Sequence, residues 1–490
     1  MVPTIDPELL GNRLADVLEF SLRHLPSLDR YSRLWPDDPN EDAVQMRDKV
    51  LAETAILVLL ASRVEQTGRI AGLIEQLVDV LEGCSTDNRT KELLLRCPHM
   101  AAPLGLTQIV LAQRGRGDAE TQTILRNIFR DGLADTLERI PYRAMEVEWV
   151  ESLLNLGFRP DFEAAFPSNV LMKEVHPISM SRSTGYGVTH GLMYATDFGS
   201  RPPPCCVDVS LARGRIDAAV AWVLVNDDLD LLIEFIIATT LLRQPWSPYV
   251  WLAWDLYNGV VEELGFLPSP SFDPAQFAAL QGDEAAAYAF RHVYHTVYVA
   301  GLLSAILLTP EAMGVSGDWT APRASMNGAA VACADAAQRG RKFARVPVEG
   351  QDAEAMAGRT IDPATALTRV SDLLDNMLQE HRQWRKVLQA HSFEPALMAQ
   401  VLGDAAIIHA ARRYDLPKLI IAIETMLAMP LPPSPTLIEG ALFLARQQLQ
   451  DGCIGVQFLS PQLRELAVAA QTTEVASSCL EACARRFAMA

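Results

Sequence analysis

Apolar residues recur along most of the chain at the i, i+3, i+4, i+7 spacing that places them on one face of an α-helix. Almost no segment alternates apolar and polar residues as a half-buried strand would. The first helical segment starts near Asp6, has Pro7 in its first turn and stops before Pro26. Long helices are also predicted at 119–140, 284–308 and 363–391. The pattern predicts an all-α protein of antiparallel helix pairs.

Two stretches interrupt the helical pattern. Residues 201–206, Arg-Pro-Pro-Pro-Cys-Cys, cannot be helical because consecutive prolines lack the amide donor and have a fixed φ. Residues 346–362 are polar, contain Gly350 and Gly358, and form the one candidate domain boundary. We expect a single large helical domain over 1–490. A separate C-terminal helical subdomain at 363–490 is the alternative.

One short segment bears on the architecture. Gln448, Asp451, Gly452 and Gly455 match a Q-x-x-D-G-x-x-G turn, which resembles the helix-ending turn of α/α-toroid enzymes such as the squalene- and terpene-cyclase class. Glycine permits the positive φ that a tight reversal after a helix needs. The resemblance implies an α/α toroid or barrel of antiparallel helix pairs. An ordinary glycine-containing helix end is the other interpretation.

The composition narrows the choice of partners and location. Lys and Arg number 42 against 60 Asp and Glu, a net charge of −18, and no basic block occurs, so we expect no nucleic-acid partner and no membrane surface. The first residues carry Asp6 and Glu8 in place of a basic, then apolar, signal. We therefore expect a cytoplasmic, acidic protein. Eight cysteines without a C-x-x-C pair predict mostly free, buried thiols.

The segment 183–199 combines glycines, hydroxyls, an imidazole and a carboxylate. If residues 188–197 are helical, His190, Tyr194 and Asp197 lie on one face, as the wall of a cavity would require. The alternative is that His190 is a hydrogen-bonded core histidine and that Asp197 accepts hydrogen bonds in the turn after the helix.

Two further segments carry candidate groups. His295 stands at the head of a strongly apolar helix, as His190 does. Asp230 and Glu234 are four residues apart in an apolar run, so Glu234 is expected to face inward, where an acid needs a partner. The acids at 227–230 also suit a helix start, where the helix dipole favours negative charge.

These segments resemble a family of uncharacterised bacterial helical proteins, chiefly actinobacterial, with a Y-x-x-T-H…Y-x-T-D-F-G stretch, a D-L-D-L-x-x-E stretch and a later Y-H-T stretch. The matching residues are Tyr186, Thr189, His190, Tyr194, Thr196, Asp197, Phe198, Gly199, Asp228, Leu229, Asp230, Leu231, Glu234, Tyr294, His295 and Thr296. The resemblance covers about the middle third of the chain and the turn from Gln448 to Gly455. It supports a site in these segments and implies no particular reaction.

We expect an enzyme of bacterial specialised metabolism, that is, natural-product biosynthesis, which uses acid–base groups in an inner cavity. The candidate catalytic residues are His190, Tyr194, Asp197, Asp230, Glu234 and His295. The cofactor prediction is either none or a divalent transition metal, held by His190, Asp197 and His295. The expected substrate is a small molecule or a peptide, and a homo-oligomer is left open.

Two other functions compete with this expectation. An isoprenoid cyclase fits the toroid resemblance, but Asp227-Asp228-Leu229-Asp230 is not the D-x-D-D motif of protonating cyclases, and 7% aromatic residues is low for sheltering carbocations. A non-catalytic helical binding module is the second alternative, although no 34–45-residue repeat is evident. Phosphate-binding, dinucleotide-binding and serine-hydrolase motifs are missing from the sequence.

Overall fold

The computed structural model describes residues 5–35, 45–64, 68–85, 88–173, 176–310, 326–344, 362–374, 395–455 and 466–489. The protein is all-α, as predicted: within these ranges the only β feature is an isolated bridge between Gln448 and Ile454. No helix in the described ranges is long and apolar enough to cross a bilayer.

The described α-helices are numbered in chain order. They are α1 Pro7–His24, α2 Leu28–Ser32, α3 Met46–Ala61, α4 Arg69–Cys84, α5 Asn88–Arg96, α6 Ala101–Gln113, α7 Ala119–Arg130, α8 Pro141–Leu153, α9 Phe162–Ala165, α10 Arg182–Ala195, α11 Val209–Asn226, α12 Leu229–Leu241, α13 Pro248–Leu264, α14 Pro274–Ala279, α15 Gly282–Leu307, α16 Asn327–Ala344, α17 Pro363–Leu373, α18 Pro395–Arg412, α19 Leu416–Leu427, α20 Pro435–Arg446 and α21 Leu466–Met489.

Side-chain caps and prolines fix many helix starts. Asp6 accepts a hydrogen bond from the Glu8 amide with Pro7 in the first turn, which agrees with the predicted start of α1. Asp228 caps α12 through the Leu231 amide. The helix-start role suggested for the acids at 227–230 therefore belongs to Asp228.

Six helices contact one another in a closed cycle. The neighbours in this cycle are α3 with α6, α6 with α8, α8 with α10, α10 with α12, α12 with α15 and α15 with α3. Other helices, among them α1, α4, α7, α11 and α13, contact members of the cycle. The predicted toroid is compatible with these contacts and stays a prediction.

Three neighbouring pairs of helices in the cycle have enough side-chain contacts to show their relative direction, and in each pair the two helices run in the same direction. Along α3 and α15, Glu53 contacts His295 and Thr54 contacts Tyr298, so both residue numbers rise together. The same order holds for α10 with α12 and for α8 with α10. The N-terminal ends of α3 and α15 therefore lie next to each other, and so do those of α8, α10 and α12.

The helices after residue 326 pack mainly with one another. α16 contacts α21, α17 contacts α18, and α18 contacts α19. The group contacts the rest of the chain through α18, which packs on α11 and α13, and through α20, which also packs on α11. The predicted boundary at 346–362 lies outside the described residues, except for Asp362, which caps α17.

Two predicted helices end earlier than expected. The helix predicted at 119–140 is α7, which ends at Arg130 because Gly132 adopts a φ of 70° and a 3-10 turn, Leu133–Asp135, follows. The helix predicted at 363–391 is α17, which ends at Leu373, and residues 375–394 lie outside the described part of the chain.

The turn at 448–455 requires glycine. Gly452 has a φ of 94°, and a Cβ there would lie 2.7 Å from the carbonyl oxygen of Arg339. Gly455 has a φ of 121°. The turn follows α20 and packs on α16, so it belongs to the C-terminal group of helices and not to the cycle of six.

Candidate functional site

A cavity of about 730 Å³ lies between the six helices of the cycle, each of which contributes to its wall. This volume suits a small molecule or part of a larger one. Acidic, basic and histidine side chains line the cavity. They are Lys49, Glu53, His99, Arg139, Arg143, Glu146, Arg182, His190, Asp230, Glu234, Arg291, His292 and His295.

Helix α12 supplies the two most buried acids of the cavity wall. Asp230 and Glu234 are one helical turn apart, so they share the face that points into the cavity. Their side chains are only 2% and 1% exposed. Glu234 therefore faces inward as the apolar run around it predicted, and both acids need partners there.

Helix α10 provides those partners from the neighbouring face. The Tyr186 hydroxyl donates to Oδ2 of Asp230 over 2.8 Å, and the Thr189 hydroxyl donates to Oε2 of Glu234 over 2.5 Å. Nε2 of His190 lies 3.2 Å from Oε1 of Glu234. Each carboxylate thus has one oxygen held by a hydroxyl group, which fixes its orientation.

His295 on α15 connects α12 with α3. Its Nδ1 lies 2.9 Å from Oε2 of Glu53, and its Nε2 lies 3.3 Å from Oδ1 of Asp230. Asp230 and Glu234 each offer a carboxylate oxygen and His295 offers a ring nitrogen, and these three atoms all lie within 4.8 Å of one another. The fold thus places His295 beside Asp230 and Glu234, and it adds Glu53 to this cluster.

The charges in this cluster depend on one another. Burial disfavours an imidazolium, but Glu53 and Asp230 outweigh burial and raise the pKa of His295 well above its usual 6.5. Burial also opposes ionisation of Glu53, whose pKa is nevertheless lowered to about 2 by His295 and Lys49. The pKa of Asp230 likewise falls to about 2 because His295 and Tyr186 outweigh burial. At neutral pH an imidazolium therefore lies between two carboxylates.

His190 lies beside this cluster among aromatic rings. The ring centroids of Tyr142 and Tyr186 are both 5.4 Å from that of His190, and that of Tyr194 is 6.0 Å away. Its Nδ1 is buried with no hydrogen-bond partner among the described residues. Nε2, which faces Glu234, is therefore the nitrogen that holds the ring in place.

Tyr194 lines the cavity but is bound elsewhere. Its hydroxyl donates to Oε1 of Glu146 over 3.1 Å, and Arg143 pairs with the other oxygen of Glu146 over 2.7 Å. Tyr194 thus belongs to a second polar group, on α8 and α10, at the wall of the same cavity.

Asp197 does not join the expected face with His190 and Tyr194. Helix α10 ends at Ala195, and Asp197 follows in the left-handed region with a φ of 48°. Its Oδ1 accepts hydrogen bonds from Arg63 over 2.9 Å and from Trp149 over 2.7 Å. The residue is not among those that line the cavity. The expected metal set of His190, His295 and Asp197 is therefore not assembled, because the helix ends too early to carry Asp197 inward.

Several cavity residues were missed as site residues. Glu53 is an acid in the apolar run of α3, the same signal that pointed to Glu234 on α12. Tyr186 and Thr189 appeared only as part of the family resemblance. Arg182 and Arg291 carry no sequence signal, since isolated arginines are ordinary surface residues.

The fold and the site define an all-helical protein with a polar cluster of acids and histidines at one cavity. The chain belongs to the family defined by the domain of unknown function DUF6895, whose model matches residues 14–305. This match includes all six helices of the cycle except the last residues of α15. No curated protein and no solved structure matches the chain.

Proposed function

We propose that the protein is a metal-dependent enzyme whose single divalent transition-metal ion is bound by Asp230, Glu234 and His295. The observation that carries this proposal is the convergence of two carboxylate oxygens and one ring nitrogen within 4.8 Å at a cavity wall. Mixed nitrogen and oxygen ligands suit such ions. His190, with Nε2 3.2 Å from Glu234, is the candidate fourth ligand.

The groups behind the three ligands support this proposal. Metal-binding histidines usually donate their second ring N–H to a carboxylate or carbonyl, and Glu53 lies at that position beside Nδ1 of His295. Tyr186 and Thr189 hold the outer oxygens of the two carboxylates. A metal ion would replace the Nε2 proton of His295 between the same acids.

An ion at this position would face the cavity, where it can polarise a substrate oxygen or lower the pKa of a bound water. The cavity volume supports a small molecule or a peptide segment as the substrate. We propose further that the cycle of six helices is the inner wall of an α/α toroid. We also propose, as expected from the sequence, that the reaction takes place in the cytoplasm and belongs to bacterial specialised metabolism.

A second candidate is acid–base catalysis without a metal. The bridging position of His295 between Glu53 and Asp230 favours it, because a positioned imidazolium can donate a proton to a substrate. The two candidates differ in what occupies the space between His295 and the α12 acids.

Elemental mass spectrometry of the purified full chain tests the proposal. We expect near-stoichiometric transition metal in the wild type and its loss in His295→Ala and Glu234→Gln. Matched controls are His292→Ala and Glu146→Gln, since both residues line the cavity outside the cluster. These controls should keep the metal. Folding of every variant is checked by circular dichroism and thermal denaturation.

Wild-type protein that stays free of metal after incubation with Zn²⁺, Mn²⁺, Fe²⁺, Co²⁺ and Ni²⁺ would overturn the metal proposal. Metal that persists in folded His295→Ala and Glu234→Gln would overturn the ligand assignment. The first result would leave acid–base catalysis as the better account of the cluster.

A further inference from the structure

The cavity wall carries a concentration of cations in a chain of net charge −18. The basic side chains that line it are Lys49, Arg139, Arg143, Arg182 and Arg291. Such a group at one cavity is unexpected from the composition. Its capacity to bind a ligand depends on which of these charges are already paired within the protein.

Three of the arginines have partners. Nε of Arg182 lies 2.6 Å from Oδ2 of Asp228, and Arg143 pairs with Glu146. Arg139 donates to backbone carbonyl groups over 2.6 and 2.8 Å. These three guanidinium groups organise the wall and need no ligand.

Arg291 differs from them. Its Nη1 is buried and has no hydrogen-bond partner, and no carboxylate pairs with it in the described part of the chain. A buried donor on a charged group without a partner is unfavourable, and an anionic group on a ligand would satisfy it. Among the described groups, therefore, Arg291 is the one best suited to bind a ligand anion.

The position of Arg291 relates it to the cluster. It precedes His295 by one turn on α15, so both side chains share the cavity face. On α3, Lys49 precedes Glu53 by one turn in the same way, and its Nζ lies 3.7 Å from Oε1 of Glu53. Because α3 and α15 run in the same direction, Arg291 and Lys49 lie on the same side of the bonded pair Glu53 and His295.

Two helix starts also lie at the cavity, since residues in the first turns of α6 and α8 line it. Helix N-termini carry a partial positive charge that favours anions nearby. The remaining wall is apolar and includes Ile56, Leu106, Met193 and Leu302. The cavity thus offers both cationic and apolar residues to one ligand.

We infer that the substrate is a small amphiphilic molecule with an oxyanion group, a carboxylate or a phosphate, which Arg291 binds while the apolar part lies against the apolar residues of the cavity wall. This inference rests on the proposed function, because it names the substrate class of the same cavity. Lys49 adds long-range attraction, and the cluster around His295 acts on a part of the substrate one helical turn away.

Isothermal titration calorimetry of the full chain with octanoate, octyl phosphate and 1-octanol tests the inference. We expect one of the two anions to bind at least about tenfold more tightly than octanol, as charge-assisted hydrogen bonds imply. Comparing octanoate with octyl phosphate distinguishes the two oxyanions. Arg291→Gln should abolish the preference, Arg291→Lys should keep part of it, and the exposed control Arg130→Gln should leave it unchanged.

Equal binding of octanol and both anions, no binding of either anion, or a preference that survives in Arg291→Gln would overturn the inference. The metal content is measured in the same samples. A wild type that keeps its metal but shows no anion preference overturns only this inference. An Arg291-dependent preference in a wild type that binds no metal overturns only the proposed metal site.

Discussion

The Glu53 carboxylate lies 2.9 Å from Nδ1 of His295, which leaves Nε2 as the ring nitrogen that faces Asp230. One acid on α3 therefore decides which atom of His295 is presented to the cluster. This role resembles that of the outer carboxylates that orient metal-bound histidines.

Glu53→Gln tests that role. The amide fills nearly the same volume but removes the charge behind His295, so we expect metal affinity to fall about 10- to 100-fold. Competition with a chromogenic chelator measures the change in metal-loaded protein. Glu146→Gln is the control, since Glu146 binds Tyr194 and Arg143 instead. Equal affinities in both variants would show that Glu53 does not orient the ligand.

Asp197 was expected to be a catalytic residue or a metal ligand, but in the structure it holds Arg63 and Trp149 by hydrogen bonds. Asp197→Ala removes the acceptor for Arg63 and Trp149, so we expect a loss of about 2 kcal/mol in the free energy of unfolding. Urea denaturation measures this loss, while the metal content should stay at the wild-type level. Loss of metal without loss of stability would place Asp197 in the site after all.

At the scale of elements, close packing of α10 positions the donors of the site. The buried Asn169 lies against Gly191, donates to the carbonyl of Gly187 over 2.8 Å and accepts from the amide of Leu171. A Cβ at Gly191 would lie 2.1 Å from Nδ2 of Asn169. Glycine at this position thus allows α10 to approach the preceding loop, with His190 turned toward α12.

Gly191→Ala should therefore destabilise the protein by about 1–3 kcal/mol, because the added methyl group displaces the Asn169 amide. Chemical denaturation of the variant measures the change. Gly72→Ala on α4 is the matched control, since a Cβ there meets nothing within 4 Å and alanine favours the helix. Similar stabilities of the two variants would refute this account of the packing.

Helix periodicity predicted the elements better than their ends. The helix predicted at 119–140 was too long because Leu133, Leu137 and Ile140 continue the apolar spacing beyond α7. In the structure these three side chains are 42%, 50% and 56% exposed. Apolar spacing predicts burial only where a neighbouring element covers the face, and the sequence does not show which faces are covered.

At the scale of the whole molecule, the site is assembled from distant parts of the chain. Glu53 and His295 are 242 residues apart. The sequence identified His295, Asp230 and Glu234 as candidates by their apolar surroundings, but it could not predict that α3, α10, α12 and α15 meet. That arrangement depends on tertiary packing, which local patterns do not encode.

Two buried acids lie where the C-terminal helices pack on the rest of the chain. Asp217 on α11 accepts a hydrogen bond from Ser247 over 2.5 Å, and Asp404 on α18 accepts from Tyr249 and Ser434, each over 2.6 Å. Burial raises the pKa of both carboxyl groups to about 7, although these hydrogen bonds oppose it. The interface therefore favours protonated acids.

This protonation predicts that stability falls as the pH rises. An unfolded aspartate has a pKa of about 3.9, so between pH 4 and 7 the folded state binds a proton at each site that the unfolded state has released. Each carboxyl group should therefore lower the free energy of unfolding by about 1.4 kcal/mol for each pH unit in this window. Above pH 7 neither group should lower it further.

Asp217→Asn isolates one of the two contributions, because the amide resembles the protonated acid and keeps an acceptor for Ser247. Urea denaturation between pH 5 and 6.5 should show a smaller decline in stability with pH than in the wild type. Asp16→Asn, at a side chain that is 69% exposed, should leave the decline unchanged. Parallel stability curves for the wild type and Asp217→Asn would mean that Asp217 is ionised in the folded protein and that the C-terminal helices pack against a buried charge.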